Sequence, residues 1–373
     1  NPITFATLFT ALYMLDRNKA EEDLLSVLKT QPIAKHILSH SSSPFSDLTQ
    51  KLIHFESLSR HNIKQFCSLV FGSDFDAIQA AACFEALRIK RESGDENRLF
   101  LEYLREHSLQ KQLDLAYLID LCDPFDGLSK AYPIGHLIAA LLASFGIPTL
   151  IQGANAVGPK LGLTYPMLFR AAKKDAFLKP EAIMSQLKNP NIGWAYLDQR
   201  IASPMTHRFC LFRLAMLKRS LFSTLEKGLK PIKSKKNYAH ITCFTHPPYK
   251  KHLSHLFLPD ADPTLLLRGI QGSNQLPLDR RAPWLYFDGK KEENDFIKPE
   301  EAGLNITDPI NNNDRALSTD SKTIHTWQQL SKATLEGHKT ELYSPLLYNT
   351  WHLLERFSFL PKLSIKELEK NLK

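Results

Sequence analysis

The residues best placed to do chemistry are Arg213 and Arg219, six apart in the segment PMTHRFCLFRLAMLKRSLFSTLEKGLKP at 204–231. A guanidinium fork grips a carboxylate or a phosphate through two parallel hydrogen bonds. A helix arginine paired with a nearby acid is the structural alternative. The apolar spacing around the two predicts an amphipathic helix with a cationic edge, running into a basic loop and Pro231.

A second candidate overlaps its end. Residues 218–252 hold nine lysines and arginines against a single acid, Glu226. Lys233, Lys235, Lys236, Lys250 and Lys251 suit backbone phosphates, and Tyr238 and Tyr249, flanking the apolar run HITCFTH, suit the stacking of unpaired bases. Phe244, inside that run, reads as core. A solvated loop ahead of a core strand has the same composition. His246, His252 and His255 are close in sequence but have no carboxylate beside them, so they do not make a zinc site. Gly269-Ile-Gln-Gly272, after a strand, fits either an anion-holding loop or a tight turn. The sequence has neither a G-x-S-x-G elbow nor a Walker loop.

These groups need a scaffold. The 373 residues, 43% apolar and 23% charged, fit a globular protein with two domains and a sizeable core. No apolar run approaches the roughly 18 residues of a membrane helix; the best candidate, 137–145, reads as a buried helix. The N-terminal residues lack the charged-then-apolar order of a signal peptide. Five scattered cysteines without a C-x-x-C pair predict reduced, buried thiols and a cytoplasmic location. The net charge of +8 favours polyanionic partners.

Apolar periodicity predicts helices over 5–14 and 20–29, then a linker at 40–44. Three punctuated helices follow: one capped by Ser59 and closed by Gly72, one capped by Asp74 over 75–92, and one opened by Asp95 and reaching His107. From Leu113 short apolar runs at 115–122, 149–153, 193–197, 240–246, 264–269 and 284–289 alternate with helical stretches. That order predicts an α/β domain with a mostly parallel central sheet. Residues 299–315 read as polar loop and 318–373 as helix.

Against this scaffold, the 204–231 segment resembles the Val-Arg-Lys-x-Leu-Gly-x-Arg-Thr segment of anthranilate phosphoribosyltransferases, with Arg213 and Arg219 in register. The likeness spans about 48–373. It implies the fold of glycosyltransferase family 3 and the pyrimidine nucleoside phosphorylases: a small helical N-terminal domain at 48–112 and a larger α/β domain at 113–373, with 1–47 as a helical extension. It implies a homodimer formed through the helical face of 48–107. It also implies an anion or substrate cleft containing Arg213, which faces the substrate carboxylate in the family, with Arg219, Lys160, Gly127, Gly153 and Gly162.

Other family motifs are altered. The pyrophosphate loop Gly-Thr-Gly-Gly-Asp-Gly reads Cys122-Asp-Pro-Phe-Asp-Gly127, in which Pro124 removes a donor and Asp123 brings negative charge. Asn-Ile-Ser-Thr reads Pro133-Ile-Gly-His136. Lys-His-Gly-Asn and Ser-Lys-Ser-Gly read Ile151-Gln-Gly-Ala154 and Pro159-Lys-Leu-Gly162. Where an Asp-Glu pair would hold magnesium, the segment from Ser273 offers only Asp279. His246-Pro247 and the Lys298–Gly303 turn match. The pattern resembles the YbiB-type, nucleic-acid-binding branch of the family. It implies single-stranded DNA or RNA as partner, self-association, no membrane and no cofactor. An active pentosyl transferase with an altered substrate would need magnesium, and a structural or regulatory homodimer is the third reading.

Overall fold

Side-chain caps and apolar stripes build the N-terminal part from helices: Pro2–Met14, Lys19–Leu28, Pro32–Leu38, Pro44–Ile53, Arg60–Phe71, Ala77–Lys90 and Gly94–Glu106. The computed structural model describes residues 1–39, 44–73, 75–123, 125–155, 157–158, 160–304 and 315–372. Asn18 with Glu21, Ser59 with Asn62 and Ser93 with Glu96 form reciprocal capping boxes. Ser93 therefore caps the last of these helices, two residues ahead of where Asp95 was expected to open it. Asp76 caps Ala77–Lys90 by accepting from the amides of Ile78 and Gln79. Asp74 and 40–43 of the expected linker lie outside the described residues.

Every residue from Gln79 to Leu87 is buried, so Ala77–Lys90 is the central helix of this unit. Its Phe84 clusters with Phe66, Phe100, Phe209, Phe212 and Phe222, with neighbouring ring centroids 4.7–5.5 Å apart. Three of those rings come from far along the chain. One compact unit thus comprises 1–108 with 205–229, and the other comprises 109–204 with 230–373. Residues 1–47 belong to the first unit; Thr4 donates its hydroxyl to the Ala215 carbonyl at 2.7 Å.

The 204–231 segment is not the single helix its spacing predicts. It breaks into Pro204–Arg208, Cys210–Met216 and Phe222–Leu225, followed by a 3₁₀ turn at Glu226–Gly228. Leu217 turns the chain in the left-handed region, at φ 57°, so that Phe209, Phe212 and Phe222 can all enter the aromatic cluster.

The second unit carries strands β1 (Lys111–Leu113), β2 (Tyr117–Cys122), β3 (Thr149–Gly153), β4 (Trp194–Asp198), β5 (Ile232–Ser234), β6 (Asn237–Cys243), β7 (Thr264–Leu267), β8 (Ala282–Phe287) and β9 (Glu292–Ile297). The main sheet runs β4-β3-β2-β6-β7-β8-β9. It is parallel from β4 to β7 and antiparallel from β7 to β9. β1 and β5 pair separately. The mostly parallel sheet expected from the sequence is present. Helices Gly135–Ser144, Ser321–Leu335 and Tyr343–Arg356 cover one face, and Pro180–Lys188 packs on the other. The five cysteines are free thiols, and burial pushes that of Cys83 up to about 12. No described helix is long and apolar enough to cross a membrane.

Candidate functional site

Parallel strands deliver their following loops to one edge of a sheet, where such folds bind ligands. β2 leads through 123–134 into the Gly135–Ser144 helix. Gly127 turns that loop at φ 74°. Leu128 and Leu163 then exchange backbone hydrogen bonds of 3.1 and 2.7 Å. A Cβ on Gly162 would lie 2.7 Å from the Leu128 backbone, so this close approach requires glycine. Lys160 folds inward, its Nζ 2.5 Å from the Gly127 carbonyl and 3.3 Å from the Asp126 carboxylate. The structure thus brings Lys160, Gly127 and Gly162 together. Gly153, at the end of β3, lines the same narrow cleft as Asp123, Gly127, Thr164 and Tyr165.

The amides of this loop have internal partners. Ser129 and Lys130 donate to Gln271 Oε1 at 2.8 and 3.0 Å. Ile134 donates to Gln275 Oε1 at 3.3 Å. Gly135, the first residue of the helix, donates to the Tyr165 hydroxyl at 3.1 Å. That hydroxyl donates to Asp123 Oδ2 at 2.5 Å. Burial, then the charge of Asp123, hold Tyr165 well above its ordinary pKa of 10. A helix N-terminus that would attract an anion is therefore closed by side chains of its own unit. Gly269-Ile-Gln-Gly272 forms the tight turn that delivers both glutamines: Gly269 donates to the Ser273 carbonyl at 2.8 Å, and Gln271 is left-handed at φ 51°. Both oxygens of Asp279 lie 2.9 Å from Arg280 Nη1.

Arg213 is buried and turned onto Glu226. Its Nη1 and Nη2 donate to the two oxygens of Glu226 at 3.1 and 2.5 Å, and both side chains are buried. A guanidinium withdrawn from water needs a carboxylate beside it, and the fold-back after Leu217 supplies one. Arg219 lies exposed in the loop beyond. Arg213 and Arg219 belong to the helical unit, and Lys160 and the three glycines to the α/β unit.

The basic run disperses. Lys230 is buried, with its Nζ 2.8 and 2.9 Å from Asp260 and Asp262, and Lys233 sits 2.6 Å from Asp262. Burial raises the Asp262 pKa, but the two lysines more than offset it, and the net shift is downward. Tyr238 is not a stacking ring: it lies inside β6, buried, and donates to Asp120 Oδ2 at 2.5 Å. Asp120 also accepts from Gln152 at 2.6 Å and faces His240 Nδ1 at 3.1 Å. Burial lowers the pKa of His240, and Asp120 only partly restores it. Lys235 and Lys236 stand exposed just before β6, with Lys236 3.5 Å from Asp114. Lys250 and Lys251 stand on the Pro247–Phe257 helix after it, beside Tyr249, which is 45% exposed. At about 3.3 Å per residue, β6 separates these two lysine pairs by roughly 20 Å.

Sequence reasoning missed Tyr165, Gln271 and Gln275. The available signal was Gly135 opening a helix with no Ser, Thr, Asp or Asn in the capping position.

The helical unit and the β4–β9 sheet define an anthranilate phosphoribosyltransferase-type fold. The chain superposes on the Thermus thermophilus enzyme of that name with a TM-score of 0.65 and 18% identity, covering 87% of this chain and 93% of the other. A Saccharomyces cerevisiae variant of the enzyme gives a TM-score of 0.70 at 16% identity, covering 90% and 94%. In sequence the chain is 24% identical over 192 residues to the anthranilate phosphoribosyltransferase of Methanothermobacter marburgensis, which is 51% of this chain and about half, 52%, of that relative. No protein-family profile matches. Sequence and fold neighbours thus agree with the resemblance first carried by the 204–231 segment.

Proposed function

We propose that this chain is an anthranilate phosphoribosyltransferase-like protein in which the segment 129–135, following the position of the pyrophosphate loop, is closed by its own side chains, and that it binds single-stranded nucleic acid through a basic surface. The observation that carries the first half is the set of amides at 129, 130, 134 and 135, all engaged by Gln271, Gln275 and Tyr165. Magnesium bridging a pyrophosphate needs paired carboxylates. The loop offers Asp123, which is bonded to Tyr165, and Asp126, which lies 3.3 Å from the Lys160 ammonium, while Asp279 is engaged by Arg280. These residues do not fit the metal, and no step is derived through it. Fixed donors and metal together supply several kcal/mol of transition-state stabilisation in such chemistry. The chain is therefore expected to show no thermal shift with phosphoribosyl pyrophosphate and magnesium, and no product from anthranilate. Turnover near the ordinary ~1–10³ s⁻¹ would overturn this half.

Support for the second half is the net charge of +8 and the exposure of Lys235, Lys236, Lys251 and Tyr249. Binding should show little sequence preference and weaken with salt by about 0.9 log units or less per phosphate contact for each tenfold rise. A gel-shift titration at low salt with no complex at micromolar protein would sink it.

A further inference from the structure

We infer that single-stranded nucleic acid docks where the start of the Pro247–Phe257 helix meets the β7–β8–β9 corner of the sheet, with Tyr249 and Phe296 as stacking rings; this rests on the nucleic-acid reading above. Arg268, the residue after β7, donates its amide to the Pro283 carbonyl at 3.2 Å, and Pro283 pairs with Phe296. Residues opposite one another on adjacent strands project to the same side, so Arg268, Pro283 and Phe296 share a face. Asn294, two residues before Phe296, shares it too, and Lys250 Nζ reaches Asn294 Oδ1 at 3.2 Å. That contact brings Lys250, in the first turn of the helix, to this face.

The Arg281 guanidinium lies 4.4 Å from the Phe296 ring centroid, yet the ring remains 45% exposed. Tyr249 is equally exposed and adjoins Lys250. Arg268, Arg281 and Lys251 are exposed, and none has an ion pair among the described residues. Glu292, further along β9, limits the patch. Two half-exposed rings set among four cations match a base stack with its flanking phosphates. An acidic peptide would use the cations and gain nothing from the rings.

The test is fluorescence anisotropy of a labelled oligo-dT and a labelled oligo-U on the full chain, at about 0.1 M salt, where screening acts over roughly 10 Å. Phe296→Ala and Tyr249→Ala are each expected to raise Kd about 5- to 150-fold. Phe296→Trp should retain binding. Thermal melts of the alanine variants should match the parent, because both rings are surface groups. Unchanged affinity in both ring variants would overturn this surface and leave the nucleic-acid reading standing. Competition by polyglutamate as strong as by oligo-dT would overturn it in favour of an acidic peptide. Absence of any complex with the unaltered chain would take down both.

Discussion

Glu226 and Arg213 form a buried bidentate pair, and removing either partner strands the other's charge away from water. Arg213→Ala is expected to cost about 3–5 kcal/mol, while Arg213→Met combined with Glu226→Leu should cost far less. Urea denaturation midpoints of the two variants decide the matter; an Arg213→Ala midpoint equal to the parent's would show the pair to be dispensable. Tyr165→Phe removes the acceptor of the Gly135 amide and the donor to Asp123, and should cost about 1–3 kcal/mol in the same measurement. At this scale the sequence was a partial guide. Gly162 and Lys160 were marked only through the family resemblance; the close approach to Leu128 that requires glycine at 162 is set by the fold. Tyr238 was misjudged because β6 starts at Asn237, and side-chain direction depends on where a strand begins. The partner of Arg213 lay in the same segment, but one continuous helix would have carried it elsewhere.

Helix and strand faces show where unsatisfied apolar surface remains. In the Pro2–Met14 helix, Thr4 and Leu8 share a stripe that continues to Leu15, and Thr4 touches the Cys210–Met216 helix. Leu8 and Leu15 are about half exposed, and Leu211, Leu214 and Leu217 are 81%, 43% and 62% exposed. Over 48–107 the large exposed apolar side chains are Phe55 and Phe75. A homodimer through the helical unit is thus better served by the leucines of 8–15 and 211–217 than by the 48–107 face first expected. Sedimentation velocity at micromolar concentration should give a dimer, and Leu8→Asp with Leu211→Asp should give a monomer. A monomeric parent chain would count against the dimer altogether. Helices were readable here from their apolar spacing, although of the expected N-caps only Ser59 holds its place and Asp76 and Ser93 cap the next two, and β2, β3, β4, β6, β7 and β8 were readable from their apolar runs. β9 was not, because Glu-Glu-Asn-Asp carries no alternation and its strand character comes from pairing with β8.

Across the whole molecule, three buried histidines set a pH limit. Burial lowers His136 and His352 from the ordinary 6.5 to about 3, and lowers His240 as well. A basic group whose folded pKa is depressed stays neutral in the folded chain but takes up a proton when unfolded. The unfolded state therefore binds more protons between about pH 3 and 6.5, and stability falls as pH drops through that window. Each such group contributes up to ~1.4 kcal/mol per pH unit. Unfolding free energies measured by urea should be flat above neutrality and decline from pH 6.5 to 5, and His352→Gln should flatten the decline by about one proton. Stability independent of pH over that range would contradict this. Composition indicated two domains. The return of 205–229 to the helical unit through aromatic packing leaves no mark in local periodicity.

That return has a consequence for how the protein is made. Phe84 and Phe100 leave the ribosome long before Phe209 and Phe222, with 109–204 of the other unit in between. At about 5–20 residues per second, the first piece waits roughly 5–25 s with part of its aromatic core bare. The second unit meanwhile lacks β5 to β9, which all lie beyond residue 229. The second unit begins before the first is finished, so the helical unit cannot complete its core until residue 229 has emerged. Chaperone dependence during synthesis and insolubility of a fragment ending at residue 108 both follow from that interleaving.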